Sequence, residues 1–189
     1  MRVVETEIPG ALIIEPDVHR DERGFFVETS RADWFRDLGI THTWAQDNHS
    51  RSRRGVLRGL HFQTRPGQAK LVRCARGRIL DIIVDLRRGS PVYGRPVAVE
   101  LDDETARTRY VPVGLAHGFV VLSDEADVIY RCSAYFDPAT EAGITWNDPD
   151  VAAPWPDMPV TVSARDRAAP RLAEIADTLP FVYAPTAEV

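Results

Sequence analysis

Chain breakers are so frequent here that few windows are long enough for a helix, and this most constrains the fold. Fourteen prolines and twelve glycines are spread through 189 residues. Proline inside a helix removes a hydrogen bond and clashes with the preceding turn, and an interior glycine weakens one. Between the breakers the hydrophobic period is two. ALIIEPDV, GFFVET, AKLVRCA, RILDIIVDL, RPVAVEL, TRYVPV, HGFVVL and DVIYRCSAYF all read as β-strands bounded by turns. Short strands at this density predict a mainly β sandwich or closed barrel with few helices. The clearest helix is RADWFRDLGI, residues 31–40, with Ser30 as N-cap, Trp34, Phe35 and Leu38 on one face and Gly39 at its end. A second helix is expected near residues 166–177, and the last ten residues read as a loose tail.

The length suits one domain, residues 1–189, with a sizeable core. Its 44% hydrophobic and 27% charged content are those of an ordinary globular protein. A net charge of −5 argues against a nucleic-acid-binding surface, which is usually basic. A local basic pocket for an anionic small molecule stays open, because Arg51, Arg53, Arg54 and Arg58 cluster. No apolar run approaches the roughly 20 residues of a membrane helix, and MRVVETEIPG lacks the apolar centre of a signal peptide. The cytoplasm is the expected location. Cys74 and Cys132 have no metal or disulfide spacing and read as small buried side chains.

In RILDIIVDL, Leu80, Ile82, Val84 and Leu86 form a wholly apolar face, while Asp81 and Asp85 share the other face with Ile79 and Ile83. That second face meets either solvent or a polar cavity inside a barrel. The run GVLRGLHFQTRPGQAK, 55–70, holds the single lysine of the chain, Lys70; the other 22 basic residues are arginine, from a Lys+Arg total of 23. Lysine is a compact charge with a tunable proton, whereas arginine is a flat fork that stays charged. Lys70 is therefore either a chemical requirement or an accident of composition. Alternation in RGLHFQ places Gly59, His61 and Gln63 on one face and Arg58, Leu60 and Phe62 on the other. Gly59 clears space beside His61 for a ligand; the alternative is a structural histidine at a strand end. In VPVGLAHGF a turn-rich loop presents His117, to a site or to solvent. His19, His42 and His49 lie in polar surroundings and read as surface residues. Tyr130, Cys132 and Ala134 share a face of DVIYRCSAYF, where a tyrosine either packs or donates a proton. Asp166 stands between two arginines in SARDRAAP as a cap or surface carboxylate, or as one that orients a histidine.

Taken together, DERGFFVET, QDNHS, GVLRGLHFQ, QAKLVR, DIIVDLRRGSPVYG, VPVGLAHGF, VIYRCSAYF, GITWNDP and VSARD resemble, in order, the dTDP-4-dehydrorhamnose 3,5-epimerase family. The resemblance spans about residues 10–170. It implies a cupin-type β jelly roll, usually a homodimer, acting on a dTDP-linked 4-keto-6-deoxyhexose without a metal or redox cofactor. The family inverts C3, C5 or both, the carbons flanking the C4 ketone. A proton beside a ketone is weakly acidic, so its removal needs a placed base and a cation at the developing enolate oxygen.

Residue by residue, the resemblance implies that His61 is the base and Asp166 the carboxylate that holds its tautomer. It makes Lys70 the cation near the C4 oxygen and Tyr130 the acid that returns a proton to the opposite face. For binding, it implies Arg23 and Glu28 from the RG-F-E motif, Gln46, Asp47 and Asn48 from a ligand-contacting strand, and Arg58 on the diphosphate. His117 is a sugar contact paired with Asp85, and Glu141 and Arg165 lie on the nucleotide side. Phe136 occupies a position where the family often has a thymine-stacking tyrosine. Stacking needs only the ring, but a hydrogen bond from the hydroxyl is lost.

Two other classes compete. Metal-dependent cupins use two histidines, a glutamate and a third histidine. Here Gln63 takes the second histidine place, and two histidines alone make a poor catalytic metal site. A non-catalytic sugar-nucleotide-binding cupin would keep the arginines and the ring while dispensing with base or acid, yet His61, Lys70, Tyr130 and Asp166 are all present.

Overall fold

The computed structural model describes residues 1–185. Its strands are β1 (Arg2–Glu5), β2 (Leu12–Glu15), β3 (Val18–Asp21), β4 (Gly24–Val27), β5 (Gln46–Arg53), β6 (Leu57–Gln63) and β7 (Lys70–Arg76), followed by β8 (Arg78–Asp85), β9 (Pro96–Asp102), β10 (Thr108–Val111), β11 (Leu115–Val121), β12 (Glu125–Cys132) and β13 (Glu141–Gly143). The helices are short: α1 (Ala32–Asp37), α2 (Ala164–Arg167) and α3 (Leu172–Ile175), the last running into a 3₁₀ turn. A six-stranded sheet in the order β1-β2-β10-β7-β12-β5 faces a five-stranded sheet in the order β13-β6-β11-β8-β9. Every pairing within them is antiparallel, and β3–β4 forms a separate two-stranded ribbon. This is the expected jelly roll. No helix among the described residues is long and apolar enough to cross a membrane.

Three apolar clusters hold the layers. Val72, Ile79, Ile83, Phe119 and Val128 fill the space between the sheets. Leu60, Phe62, Ile82, Val84 and Leu86 pack outward under Ile144, Leu172, Leu179 and Phe181. Ile14, Leu71 and Tyr110 carry Phe35 and Ile40 from the α1 region. Strand β8 thus contributes to two clusters, and neither of its faces is open to solvent. The face with Asp81 and Asp85 points inward, and both are fully buried. Each buried aliphatic side chain contributes about 1.5–3 kcal/mol, enough to fix the register of β8.

The N-cap of α1 is Arg31, not Ser30, whose hydroxyl instead accepts a hydrogen bond from Arg131. Gly39 does follow the helix with φ +68°, as an αL terminator should. The 166–177 helix is split into α2 and α3, because Pro170 cannot donate a helical hydrogen bond. In the expected tail, Phe181 is buried against Phe62, and Val182 bridges Arg88; residues 186–189 lie outside the described part. His42 is not a surface group. It packs on Trp44 and Tyr110 and lies 3.1 Å from the Tyr110 hydroxyl.

Strand β6 departs furthest from simple alternation. Opposite β11, His61 pairs with His117 but Arg58 pairs with Phe119, so three steps on one strand match two on the other. This irregularity breaks the alternation. Leu60 and Phe62 face outward as expected, while Arg58 turns to the same side as His61. Gly59 makes room not for a ligand but for the neighbouring strand. A Cβ there would lie 2.5 Å from the Gly118 Cα, and one on Gly118 would lie 2.8 Å from the Arg58 carbonyl oxygen. Neither position tolerates a side chain without moving backbone.

Candidate active site

A cavity of about 620 Å³ opens between the two sheets. Strand alternation decides what projects into it. From the five-stranded sheet come Arg58 and His61 of β6, His117 and Phe119 of β11, and Glu141 of β13. From the six-stranded sheet come Gln46, Asn48 and Ser50 of β5, Lys70 of β7, and Tyr130 and Cys132 of β12. The register aligns them: Tyr130 is opposite Asn48, and Cys132 is opposite both Gln46 and Lys70. Residues opposite one another in antiparallel strands share a face, so the polar set is directed into one space. Phe136, Arg165 and Asp166 also line the cavity.

His61 Nε2 lies 2.7 Å from Asp166 Oδ1. The carboxylate is placed by α2, where Ser163 caps the helix and accepts from the Asp166 amide at 3.0 Å. Burial raises the Asp166 pKa, but the hydrogen bond and charge of His61 outweigh it, and the net shift is downward. An ionised carboxylate only accepts, so His61 donates its Nε2 proton and keeps its lone pair on Nδ1. The imidazole is thereby set up as a base.

A second pair lies deeper. His117 Nε2 donates to Asp81 Oδ2 at 2.6 Å, and Arg109 Nη1 donates to Asp81 Oδ1 at 2.9 Å. Arg109 and Asp81 are fully buried. Burial opposes the Asp81 charge, yet His117 and Arg109 hold its pKa below the usual value. Burial also lowers the pKa of His117, against the pull of Asp81, and keeps the ring neutral. The partner of His117 is thus Asp81, not Asp85. Asp85 is already saturated by the Arg87 backbone and guanidinium and by the Ser90 hydroxyl. Asp81 and Arg109 stand behind His117 rather than on the cavity wall, and the sequence reading paired neither with it. The available signal was a carboxylate in the apolar strand β8 whose partner only the fold reveals.

On the opposite wall Lys70 is 9% exposed and has no hydrogen-bond or ion-pair partner among the described residues. Burial lowers its pKa, against the charges of Cys132, Glu141 and Asp81. Tyr130 is likewise free of hydrogen-bond partners among the described residues, and burial raises its pKa. Of the four clustered arginines, Arg58 alone lines the cavity. Its Nε donates to Ser52 at 3.1 Å, which leaves both terminal nitrogens for a ligand. Arg51 is bidentate to Asp127, and Arg53 and Arg54 are exposed.

Glu141 and Arg165 pair with each other among the cavity-lining residues. Gln46 donates to Asn48 at 2.8 Å. Asp47 alternates to the outer face, where it accepts from Arg131 at 3.1 Å. Arg23 and Glu28 do not line the cavity. Arg23 is exposed and pairs with Asp21 on the β3–β4 ribbon, while Glu28 follows β4 and pairs with Arg31. Cys74 is buried with its thiol pushed up to about 12, chiefly by burial, whereas buried Cys132 reaches the cavity wall. Among the described residues no cluster of three or more His, Cys, Asp or Glu is arranged to hold a metal ion.

The sequence profile of the family described as dTDP-4-dehydrorhamnose 3,5-epimerase matches residues 5–174. A dTDP-4-dehydrorhamnose 3,5-epimerase of Methanothermobacter thermautotrophicus is 49% identical over 155 residues, covering 82% of this chain and 84% of that one. The crystal structure of a 3,5-epimerase from Legionella pneumophila, in complex with dTDP-4-keto-L-rhamnose, superposes with a TM-score of 0.94 at 44% identity, covering 97% of this chain and 99% of that one. A 4-keto-6-deoxy sugar epimerase from the novobiocin cluster of Streptomyces spheroides gives 0.93 at 42% identity, covering 97% and 94%. With its cupin-type jelly roll and these relatives, the chain belongs to the dTDP-4-dehydrorhamnose 3,5-epimerase family, a family of carbohydrate epimerases.

Proposed function

We propose that this chain epimerises a dTDP-linked 4-keto-6-deoxyhexose at both C3 and C5, through an enolate. The observation that carries the reading is the placement of His61 and Tyr130 on opposing walls of one cavity. Inverting a carbon requires a proton to leave one face and another to arrive at the opposite face. A sugar ring lying between the sheets meets a base on one side and a phenol on the other. Nδ1 of His61 takes the proton, with Asp166 steadying the imidazolium. The negative charge moves to the C4 oxygen, where the buried, unpartnered Lys70 ammonium stabilises it. Tyr130 then donates its proton to the far face; its raised pKa keeps that proton in place until it is needed. His117, neutral and fixed by Asp81, offers Nδ1 as an acceptor for a sugar hydroxyl. Arg58 takes the diphosphate with its two free nitrogens. Glu141 and Arg165 bind on the nucleotide side, Gln46 and Asn48 line the ligand, and Phe136 stacks on thymine.

The chain acts as one domain, as a cytoplasmic enzyme and as a homodimer. In support of the dimer, the β3–β4 ribbon exposes Phe25 and Phe26 at 53% and 67% and carries Arg23 away from its own cavity. If Arg23 and Glu28 touch ligand, they do so in a partner's site. Asp47, turned outward, is left with a structural tie to Arg131.

The test is incubation of a dTDP-4-keto-6-deoxy sugar with the protein in heavy water, followed by NMR. Deuterium at C3 and C5 is expected. Uptake at one carbon would make it a mono-epimerase, and no uptake would leave a sugar-nucleotide-binding protein without this chemistry.

A further inference from the structure

The segment Ala134–Asp137 carries Phe136 at the cavity and belongs to no helix or strand. Phe136 is 51% exposed and has no aromatic neighbour among the described residues. Such a segment should wander, yet three glutamine side chains hold its main chain at four successive residues. Gln68 Nε2 donates to the Ala134 carbonyl at 2.8 Å. Gln63 Nε2 donates to the Tyr135 carbonyl at 3.1 Å, and Gln63 Oε1 accepts from the Asp137 amide at 3.3 Å. Gln46 Oε1 accepts from the Phe136 amide at 2.9 Å.

Gln63 is central. It is 4% exposed, on β6, two residues after His61. A carboxamide carries one acceptor and a donor pair, so it can stand in for a strand partner. Both ends of this one are used, on either side of Phe136. Where metal-dependent cupins place a second histidine, this chain has an amide that grips the Phe136 loop. Holding a ring in its bound position removes part of the ordering cost of association.

We propose that the glutamine clamp, Gln63 foremost, positions Phe136 and thereby sets the affinity for the nucleotide half of the substrate. This rests on the reading of Phe136 as the base-stacking ring. The test is a double-mutant cycle read by titration calorimetry of dTDP into the full chain, with steady-state kinetics alongside. Phe136→Ala should weaken dTDP binding about tenfold, as loss of one base stack does. Gln63→Met, similar in shape without the hydrogen bonds, should weaken it about fivefold and raise KM to match, with kcat held within about twofold. In the Phe136→Ala background, Gln63→Met should change affinity by under about twofold, because its effect passes through the ring. Undiminished affinity in Gln63→Met, or an equal loss with and without the ring, would overturn the clamp. If Phe136→Ala bound dTDP normally, the stacking assignment itself would fall, and that outcome is separate from a silent Gln63. Should Gln63→Met not fold, Gln68→Met enters the same cycle with the same expected coupling.

Discussion

The two histidine–carboxylate pairs use the same bond in different surroundings. His61–Asp166 joins a strand to a short helix 105 residues away, with the imidazole 27% exposed to the cavity. His117–Asp81 joins neighbouring strands, with the imidazole 7% exposed and the carboxylate held from behind by Arg109. The first ring opens onto the cavity. The second is kept neutral by its burial and is braced on two sides. Under the proposed mechanism, burial and bracing rather than residue type separate the ring that would react from the one that would hold its place.

The sharpest way to break this contrast is to remove each ring's function in turn. His61→Ala should lower solvent deuterium exchange by about 10³-fold or more, the scale of a lost general base. Thermal unfolding should shift downward in that variant, because the Asp166 carboxylate, 5% exposed, loses its 2.7 Å partner. Retained exchange would reassign the base.

The carboxylates should divide the other way. Asp81→Ala leaves Arg109 buried without its charge partner, and should cost about 3–5 kcal/mol of stability in urea titration. Asp166→Ala should cost less stability than that, while lowering turnover by about 10²-fold. The contrast fails if Asp166→Ala proves the more destabilising of the two.

A smaller effect concerns the opposite wall. In the proposed mechanism Lys70 acts as the cation, and burial holds its pKa below the usual lysine value of about 10.4. Activity should therefore fall as pH rises through that lowered pKa. Tyr130 is shifted upward and keeps its proton over the same range. In Lys70→Arg the plateau should drop, since a broader fork misplaces the contact, and the alkaline limb should disappear because arginine stays charged. A limb unchanged in Lys70→Arg would show that another group titrates there.

Much of the sandwich is legible in the period of two, because its strands are half-buried and their apolar residues alternate. Strand β5, QDNHSRSR, escapes that reading. Its inner face is Gln46, Asn48 and Ser50, which line a polar cavity and leave no hydropathy signal. Alternation also assigns faces without saying what lies beyond them, so Asp81 and Asp85 stayed divided between solvent and interior until the second sheet was in place. One irregularity between β6 and β11 carries Arg58 to the side of His61, and residue spacing cannot show it. The union of His61 with Asp166, and of Lys70 with Tyr130, follows from strand order across long sequence gaps. Family resemblance named these residues; the two facing sheets supply the reason they meet.

In the proposed mechanism base and acid reach the sugar from opposite walls, and Tyr130→Phe in heavy water separates their contributions. Removing the phenol should leave His61 free to take and return a proton on its own face. Deuterium should still enter the sugar with its configuration retained, and inversion should be slowed about 10²-fold relative to exchange. Inversion keeping pace with exchange in Tyr130→Phe would contradict it.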